Sequence, residues 1–420
     1  MVKYLKEIYD IYFNKKMLVL LALGFSSGFP FLLVFGTLTL WLKKSGIALA
    51  MIGSFSLVKI PYSVKWLWSP ILDNTKLPLL SFLGRRRSWA VLIQICLLIS
   101  IYFMSCINPA EKTGLMAVLA FITAFLSASQ DIVLDAYRVE CFAKNPEKQA
   151  NGVAIFVLGY RLGLIYSGAG ALYLASYYDW NMAYKFMALG MLIGLSAILL
   201  TSEAVEYTYT KTKRNIKEFL NNSIIEPFKD FMKKDGWYWI LILIFTYHLS
   251  NAYFNPVINP FYDDMKFTER EIANVMKLYG MIAAITGGIA GGLIITKIGL
   301  KKGLLYFGIL QCLSTMLFSV QAVYGHHMHL FIIVVTIENF ISGLATTALV
   351  AYISSLCNKS YTATQYALLS SVMGASRDIF SSTSGVVAAY LGWKLFFIVS
   401  AFMSLPGIFI IIFCLKNDKK

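Results

Sequence analysis

Long apolar runs separated by short polar stretches dominate the chain from Met17 to Leu415. A helix needs about 20 mostly apolar residues to cross roughly 30 Å of hydrocarbon. On that rule the pattern predicts twelve spans, near residues 17–41, 47–72, 88–107, 115–142, 149–175, 182–201, 237–262, 271–297, 302–324, 329–356, 363–390 and 392–415. The longest polar stretch, residues 202–236, divides them six and six. The expected organisation is a helix at 1–16, a six-helix bundle over 17–201, a linker over 202–236, a second six-helix bundle over 237–415 and a tail at 416–420. Leu5, Ile8, Tyr9 and Tyr12 recur at helical spacing among charges that include Glu7 and Asp10, and no small-residue cleavage site follows. That segment reads as an uncleaved helix lying in the membrane interface. Phe219, Leu220, Ile224, Phe228 and Phe231 predict a surface helix within the linker.

Composition agrees with a chain that lives in the bilayer. Of 420 residues, 58% are hydrophobic and 14% charged, against about 25% charged in soluble domains, and the mean hydropathy is +0.66. The net charge of +15 comes from Lys and Arg gathered in alternate loops, which is a topological pattern and not a nucleic-acid face. With the N-terminus in the cytoplasm, Lys15/Lys16, Arg85 to Arg87, Lys144/Lys148, Lys211 to Lys234, Lys301/Lys302 and Lys416 to Lys420 fall on one side. About 25 basic residues lie there against about 8 opposite, as the positive-inside rule requires. Both termini are therefore expected in the cytoplasm. Cys96, Cys106, Cys141, Cys312, Cys357 and Cys414 lie in or beside apolar segments without paired spacing, so they read as packing residues. The run His326-His327-Met328-His329 sits at an outer loop without a carboxylate or thiol partner, and no metal or other cofactor is expected.

The two halves echo each other. Ala136-Tyr137 returns as Ala351-Tyr352, Gly159 as Gly374 and Gly170 as Gly385, at an offset of about 215 residues. A parallel repeat of six-helix halves with the solute site near the midplane is the architecture of the major facilitator fold. The second-to-third loop, Trp68-Ser69-Pro70-Ile71-Leu72-Asp73 followed by Gly84-Arg85-Arg86-Arg87, resembles the signature of that fold. A carboxylate at one helix end and a basic cluster before the next can build a network that closes in one state and opens in the other. Asp73, Arg85, Arg86 and Arg138 are the gating candidates. A degenerate copy runs from Gly292 to Lys301, with Thr296 in place of the acid.

Taken together, Phe25 to Pro30, Ser56-Leu57-Val58, Lys65 to Pro70, Gly84 to Trp89, Ser127 to Ala136 and Leu158 to Gly163 resemble the AmpG muropeptide permease family. The match covers most of the first half, and the related acetyl-CoA transporter family shares its Trp-Ser/Ala-Pro, Gly-Arg-Arg and Gln-Asp elements. The resemblance implies a proton-coupled importer of anhydro-muropeptides in a bacterial inner membrane, serving peptidoglycan recycling. Its partners would be a small glycopeptide and the bilayer, and the expected state is a monomer.

Several ionisable residues lie inside predicted spans. A charge near the bilayer centre costs at least roughly 2.5–3.5 kcal/mol, so each must face a cavity, pair, or hold a proton. Asp131, Asp135 and Arg138 stand at i, i+4 and i+7 on one stripe of span four, with the carboxylates about 6 Å apart along the axis. Asp131, Asp135 and Glu338 are the candidates for proton coupling, with Asp131 first and Asp135 a possible partner of Arg161. Gln130, Arg161, Lys59, Arg377, His248 and Asn251 are the candidates for substrate contact, because amides suit sugar hydroxyls and arginines hold carboxylates bidentately. Lys65, 120° from Lys59 on a regular helix, reads as a snorkelling residue. Pro256 and Pro260 predict a broken seventh span. Small residues four apart, as in Gly24/Gly28, Gly159/Gly163, Gly287/Gly291 and Gly288/Gly292, permit close helix contact. Neither a nucleophile elbow nor clustered loop acids point to an enzyme. The alternatives are a transporter of another large anion, such as acetyl-CoA, and a non-transporting sensor on a transporter scaffold.

Overall fold

The computed structural model describes residues 14–47, 51, 55–75, 77–142, 148–204, 225–381 and 383–417. Most of the expected interfacial helix at 1–16, the middle of the 202–236 linker and the last residues of the tail lie outside them. Phe219, Leu220 and Ile224 are in that group too, while Phe228 and Phe231 belong to a helix at Glu226–Met232.

Within the described residues the chain is helical and nine helices are long and apolar enough to cross a membrane. Six elements carry the argument that follows: α1 (Lys15–Val34), α2 (Arg85–Ser105), α3 (Thr113–Cys141), α4 (Gln149–Ile165), α5 (Met328–Leu356) and α6 (Thr362–Ser381). The face of α3 carrying Leu115, Val118, Phe121, Ile122 and Phe125 is exposed. Its opposite face buries Ala120, Thr123, Ala124, Ser127 and Gln130. A helix that turns its large apolar side chains outward and its small and polar ones inward is solvated by lipid.

Spans two, seven and eleven fall short of the length or apolarity of the other nine, for local reasons. Span two is assembled from a 3₁₀ turn at Phe55–Lys59, helices at Ile60–Val64 and Ser69–Asn74, and a second 3₁₀ turn at Lys65–Leu67. Pro61 and Pro70 open the two helices, where their missing N–H leaves no bond unmade. Span seven stops at Tyr247, resumes at Leu249–Phe254, and passes through a 3₁₀ turn at Asn255–Val257 to a last helix at Ile258–Asp264. Helix α6 is regular but polar. The join between the last two spans is Gly392, which takes a left-handed φ of 71°, a conformation open to glycine at little cost.

Contacts divide the chain into two compact units. The first comprises residues 1–144, 155–228 and 357–368, and the second residues 145–154, 229–356 and 369–420. The first unit thus includes the opening turns of α6.

Within the first unit, α1 and α4 meet backbone to backbone. A Cβ on Gly24 or Gly28 would overlap the carbonyl oxygens of Phe156 and Tyr160, and one on Gly159 or Gly163 those of Leu21 and Phe25. In the second unit Gly287 abuts the Phe340 carbonyl and Gly343 the Ala284 carbonyl. The close contacts expected at Gly24/Gly28, Gly159/Gly163 and Gly287/Gly291 are present, with Gly343 as the partner the spacing did not single out.

Candidate functional site

The loop after span two builds a buried charge cluster in the first unit. Arg86 Nη2 lies 2.6 Å from Asp73 Oδ1 and 2.6 Å from Glu140 Oε1. Arg85 Nη2 lies 3.1 Å from the same Glu140 oxygen, and Arg85 Nη1 donates to the Asp73 carbonyl at 2.8 Å. All four side chains are nearly inaccessible, so two arginines and two carboxylates leave no net charge to be solvated. Gly84, at φ 94°, leads into α2 without a capping side chain. Glu203 does that work from a distance, its carboxylate accepting from the backbone N–H of Arg86 at 2.8 Å and of Arg87 at 3.2 Å. A side chain at Gly84 would collide with Glu203. Burial lifts the Glu203 carboxyl above its ordinary range against the pull of those two donors.

The second oxygen of Asp73 reaches the start of α6. Thr364 N and Thr364 Oγ1 both donate to Asp73 Oδ2, at 2.8 and 2.9 Å. A carboxylate at a helix N-terminus satisfies orphan donors and opposes the macrodipole. The next two residues are held as well. Gln365 Nε2 donates to the Pro227 carbonyl at 3.1 Å, and the Tyr366 ring lies 5.2 Å from the Arg138 guanidinium. That guanidinium also faces Phe156 at 5.5 Å and pairs with Asp135 at 3.2 Å. The sequence offered Arg161 as one partner for Asp135; the structure pairs Asp135 with Arg138 one turn along the same helix. Arg161 is half-buried on α4, without a carboxylate at ion-pair distance among the described residues.

Asp131 is partly buried on α3 and accepts from Ser27 Oγ of α1 at 2.6 Å. Lys65, Asp135 and Tyr62 lie close enough to interact with it electrostatically. Lys59, the expected cavity lysine, is exposed and sits over the Phe35 ring at 5.3 Å. Lys65, read from the sequence as a snorkelling residue, is thus the lysine of span two that lies near the acid. Gln130 was expected to meet substrate. Instead it is fully buried and donates to the Ser26 carbonyl at 2.6 Å, a contact between α3 and α1.

In the second unit, Asn251 Nδ2 donates to Glu338 Oε1 at 2.8 Å and Gln311 Nε2 donates to the same oxygen at 3.3 Å. Asn251 Nδ2 also lies 3.3 Å from Ser342 Oγ. His248 marks the break in span seven, its ring edge-on to Tyr247 and its Nε2 buried without a hydrogen bond. Arg377 lies on α6 with its side chain outside the described residues. The histidine run does have a carboxylate neighbour, since His326 Nε2 is 3.5 Å from Glu271.

Residue types alone did not single out Glu140, Glu203, Ser27, Thr364 or Gln311. An acid at the end of span four and another just past span six, both opposite a basic loop, were the available signal for Glu140 and Glu203.

Comparison with known proteins bears on what this arrangement serves. The family model described as Major Facilitator Superfamily matches residues 240–420, and that described as Acetyl-coenzyme A transporter 1 matches residues 16–279. A Rickettsia felis protein named as an AmpG transporter is 36% identical over 98% of this chain and 99% of its own length. The anhydromuropeptide permease of Escherichia coli K12 is 36% identical over 96% of this chain and 80% of its own. Among solved structures, the human organic anion transporter MFSD10 superposes with a TM-score of 0.68 at 14% identity, covering 97% of this chain and 99% of that one. That likeness speaks to the fold alone. The chain is an all-α integral membrane protein with the major facilitator fold of two six-helix bundles, and it belongs to the AmpG family of muropeptide permeases.

Proposed function

We propose that this protein imports anhydro-muropeptides across a bacterial inner membrane by proton-coupled alternating access. The cargo reading is supported by the relative named anhydromuropeptide permease, 36% identical over nearly the whole chain. The coupling reading rests on Asp131, an ionisable group in the helix interior that is held by Ser27 and faces Lys65. Protonating that acid removes the charge that attracts Lys65 while leaving a carboxyl that still hydrogen-bonds Ser27, so proton occupancy and cargo occupancy together bias two conformations by their differential affinity. Asp135, tied to Arg138, is the second acid of the same stripe, and Arg161 is the cation for an anionic peptide stem.

Gating belongs to the Asp73, Arg85, Arg86 and Glu140 cluster together with Arg138. Asp73 holds the first turns of α6 through Thr364, and Arg138 holds them through Tyr366. Releasing Thr364 leaves Asp73 paired to arginine, so the latch opens without stranding a charge.

Uptake of labelled anhydro-muropeptide by a transport-deficient bacterial host expressing this chain tests the reading. Accumulation should appear with expression and collapse on adding an uncoupler. Accumulation that ignores the uncoupler would remove the coupling, and no accumulation would remove the cargo. One observation favours a second cargo: the match of residues 16–279 to the acetyl-coenzyme A transporter model. Inhibition of muropeptide uptake by acetyl-CoA at equal concentration would support that reading, and indifference to it would exclude it.

A further inference from the structure

The second unit contains a small cavity whose chemistry differs from that around Asp131. Its volume is about 90 Å³ and its polar lining comes from Asn251, Asn255, Glu338, Asn339, Ser342 and Tyr262. A single water needs only about 10–15 Å³ of such volume, so there is room for an ion with part of its hydration shell and too little for a sugar ring. Glu338 is the acid of that lining and is 4% exposed. Both of its recorded hydrogen bonds, from Asn251 and Gln311, go to Oε1. No Lys, Arg or His lies at ion-pair distance from it among the described residues. Around it, the hydroxyl of Tyr262 and Oε1 of Gln311 are buried without hydrogen-bond partners among the described residues.

The backbone points the same way. The cavity lies where span seven is discontinuous: the chain leaves helical geometry at His248 (φ −101°, ψ 13°), forms one short helix carrying Asn251, and enters a 3₁₀ turn at Asn255. Interrupted helices near the middle of a bundle are where transporters of this kind of repeat bind coupling ions, because unwound backbone and side-chain oxygens converge there.

We infer that the cavity formed by Glu338, Asn251, Asn339 and Ser342 is a binding site for one monovalent cation, held by one carboxylate and neutral amide and hydroxyl oxygens. The charge count selects the valence. One carboxylate balances one positive charge, while a divalent ion would leave an unbalanced charge in a nearly dry pocket. Asn251 gives its Nδ2 to Glu338 and Ser342 and its Oδ1 to Asn255, so the acceptors left for a cation are the oxygens of Glu338, Asn339 and Ser342, which suit a hard ion such as Na⁺. A primary ammonium group carried by a solute presents the same charge to the same acceptors. The inference stands apart from the cargo reading, since cation binding requires no muropeptide.

The test is thermal unfolding of the purified full chain in detergent at constant ionic strength, with choline chloride replaced stepwise by NaCl, KCl or methylammonium chloride. A cation that binds the folded state alone raises Tm with saturation. NaCl should give such a rise in the wild type, Glu338→Gln should abolish it, and Ser342→Ala should move its midpoint to several-fold higher Na⁺. Should Glu338→Gln fail to fold, the Ser342→Ala midpoint decides alone. A saturating rise with methylammonium and not with Na⁺, lost in the same variants, would assign the site to a solute's ammonium group. Equal Tm in all four salts, or a Na⁺ response that survives Glu338→Gln and is unmoved by Ser342→Ala, overturns the inference.

Discussion

At the scale of single residues, the charged side chains of this protein divide by whether their charge is already balanced. Arg86 touches Asp73 and Glu140 at 2.6 Å each, and removing one member of a buried network strands the others. Arg86→Gln should therefore cost about 3–5 kcal/mol of stability, read as a lower unfolding midpoint in detergent; an unchanged midpoint would show that water reaches the cluster. The clustering of Asp73 with Arg85 and Arg86 was legible because a basic loop facing an acid is a pattern in the linear chain. Glu140 and Glu203 were not, since each is a lone acid whose partner is supplied only by folding. The closeness of Lys65 to Asp131 was not legible either, since depth in the span pointed to Lys59, and the Gln130 contact with Ser26 was hidden because an amide that hydrogen-bonds a neighbouring helix looks in sequence like one that hydrogen-bonds a sugar.

At the scale of elements, two contacts invite direct tests. The first is the glycine mesh of α1 and α4, where the atoms opposite Gly24, Gly28, Gly159 and Gly163 are backbone carbonyls and cannot rotate away. Gly159→Val should force the helices apart and destabilise the protein by about 1–3 kcal/mol or more, visible as a lower Tm. Gly374, the echo of Gly159, has open space around its Cβ position, and Gly374→Ala should be close to neutral. The second is the seat of α6 on Asp73. Asp73→Ala removes two hydrogen bonds from Thr364 and one from Arg86 to a charged acceptor, each worth about 1.5–3 kcal/mol, so it should lower the resting Tm and reduce uptake at least tenfold while purified protein still shifts its Tm on adding cargo. Loss of that binding response would place Asp73 in the solute site instead. The existence of most spans was readable from apolar length, because α3 and α5 need only lipid on one face to form. The breaks were harder. Pro256 and Pro260 announced the one in span seven, whereas the 3₁₀ turn at Lys65–Leu67 follows from packing and carries no such mark.

At the scale of the whole molecule, the internal echo proves to be structural. Helices α3 and α5 are both 29 residues long, and their first residues, Thr113 and Met328, stand at the offset that separates Ala136 from Ala351. Their acids do not coincide. Asp131 is eight positions further into its helix than Glu338 is, a difference of about 12 Å along the axis at 1.5 Å per residue. The repeat therefore preserved the scaffold and let the charged chemistry of each half diverge, which explains why similarity between the halves predicted helices and not sites. The central claim is that Asp131 links the proton gradient to cargo movement. Proteoliposomes carrying the wild type or Asp131→Asn, given an imposed pH gradient and labelled anhydro-muropeptide, test it most directly. The account predicts gradient-driven accumulation by the wild type and a loss of at least about tenfold in the variant, with exchange of cargo at equal pH retained. Gradient-driven accumulation by Asp131→Asn at the wild-type level would contradict it.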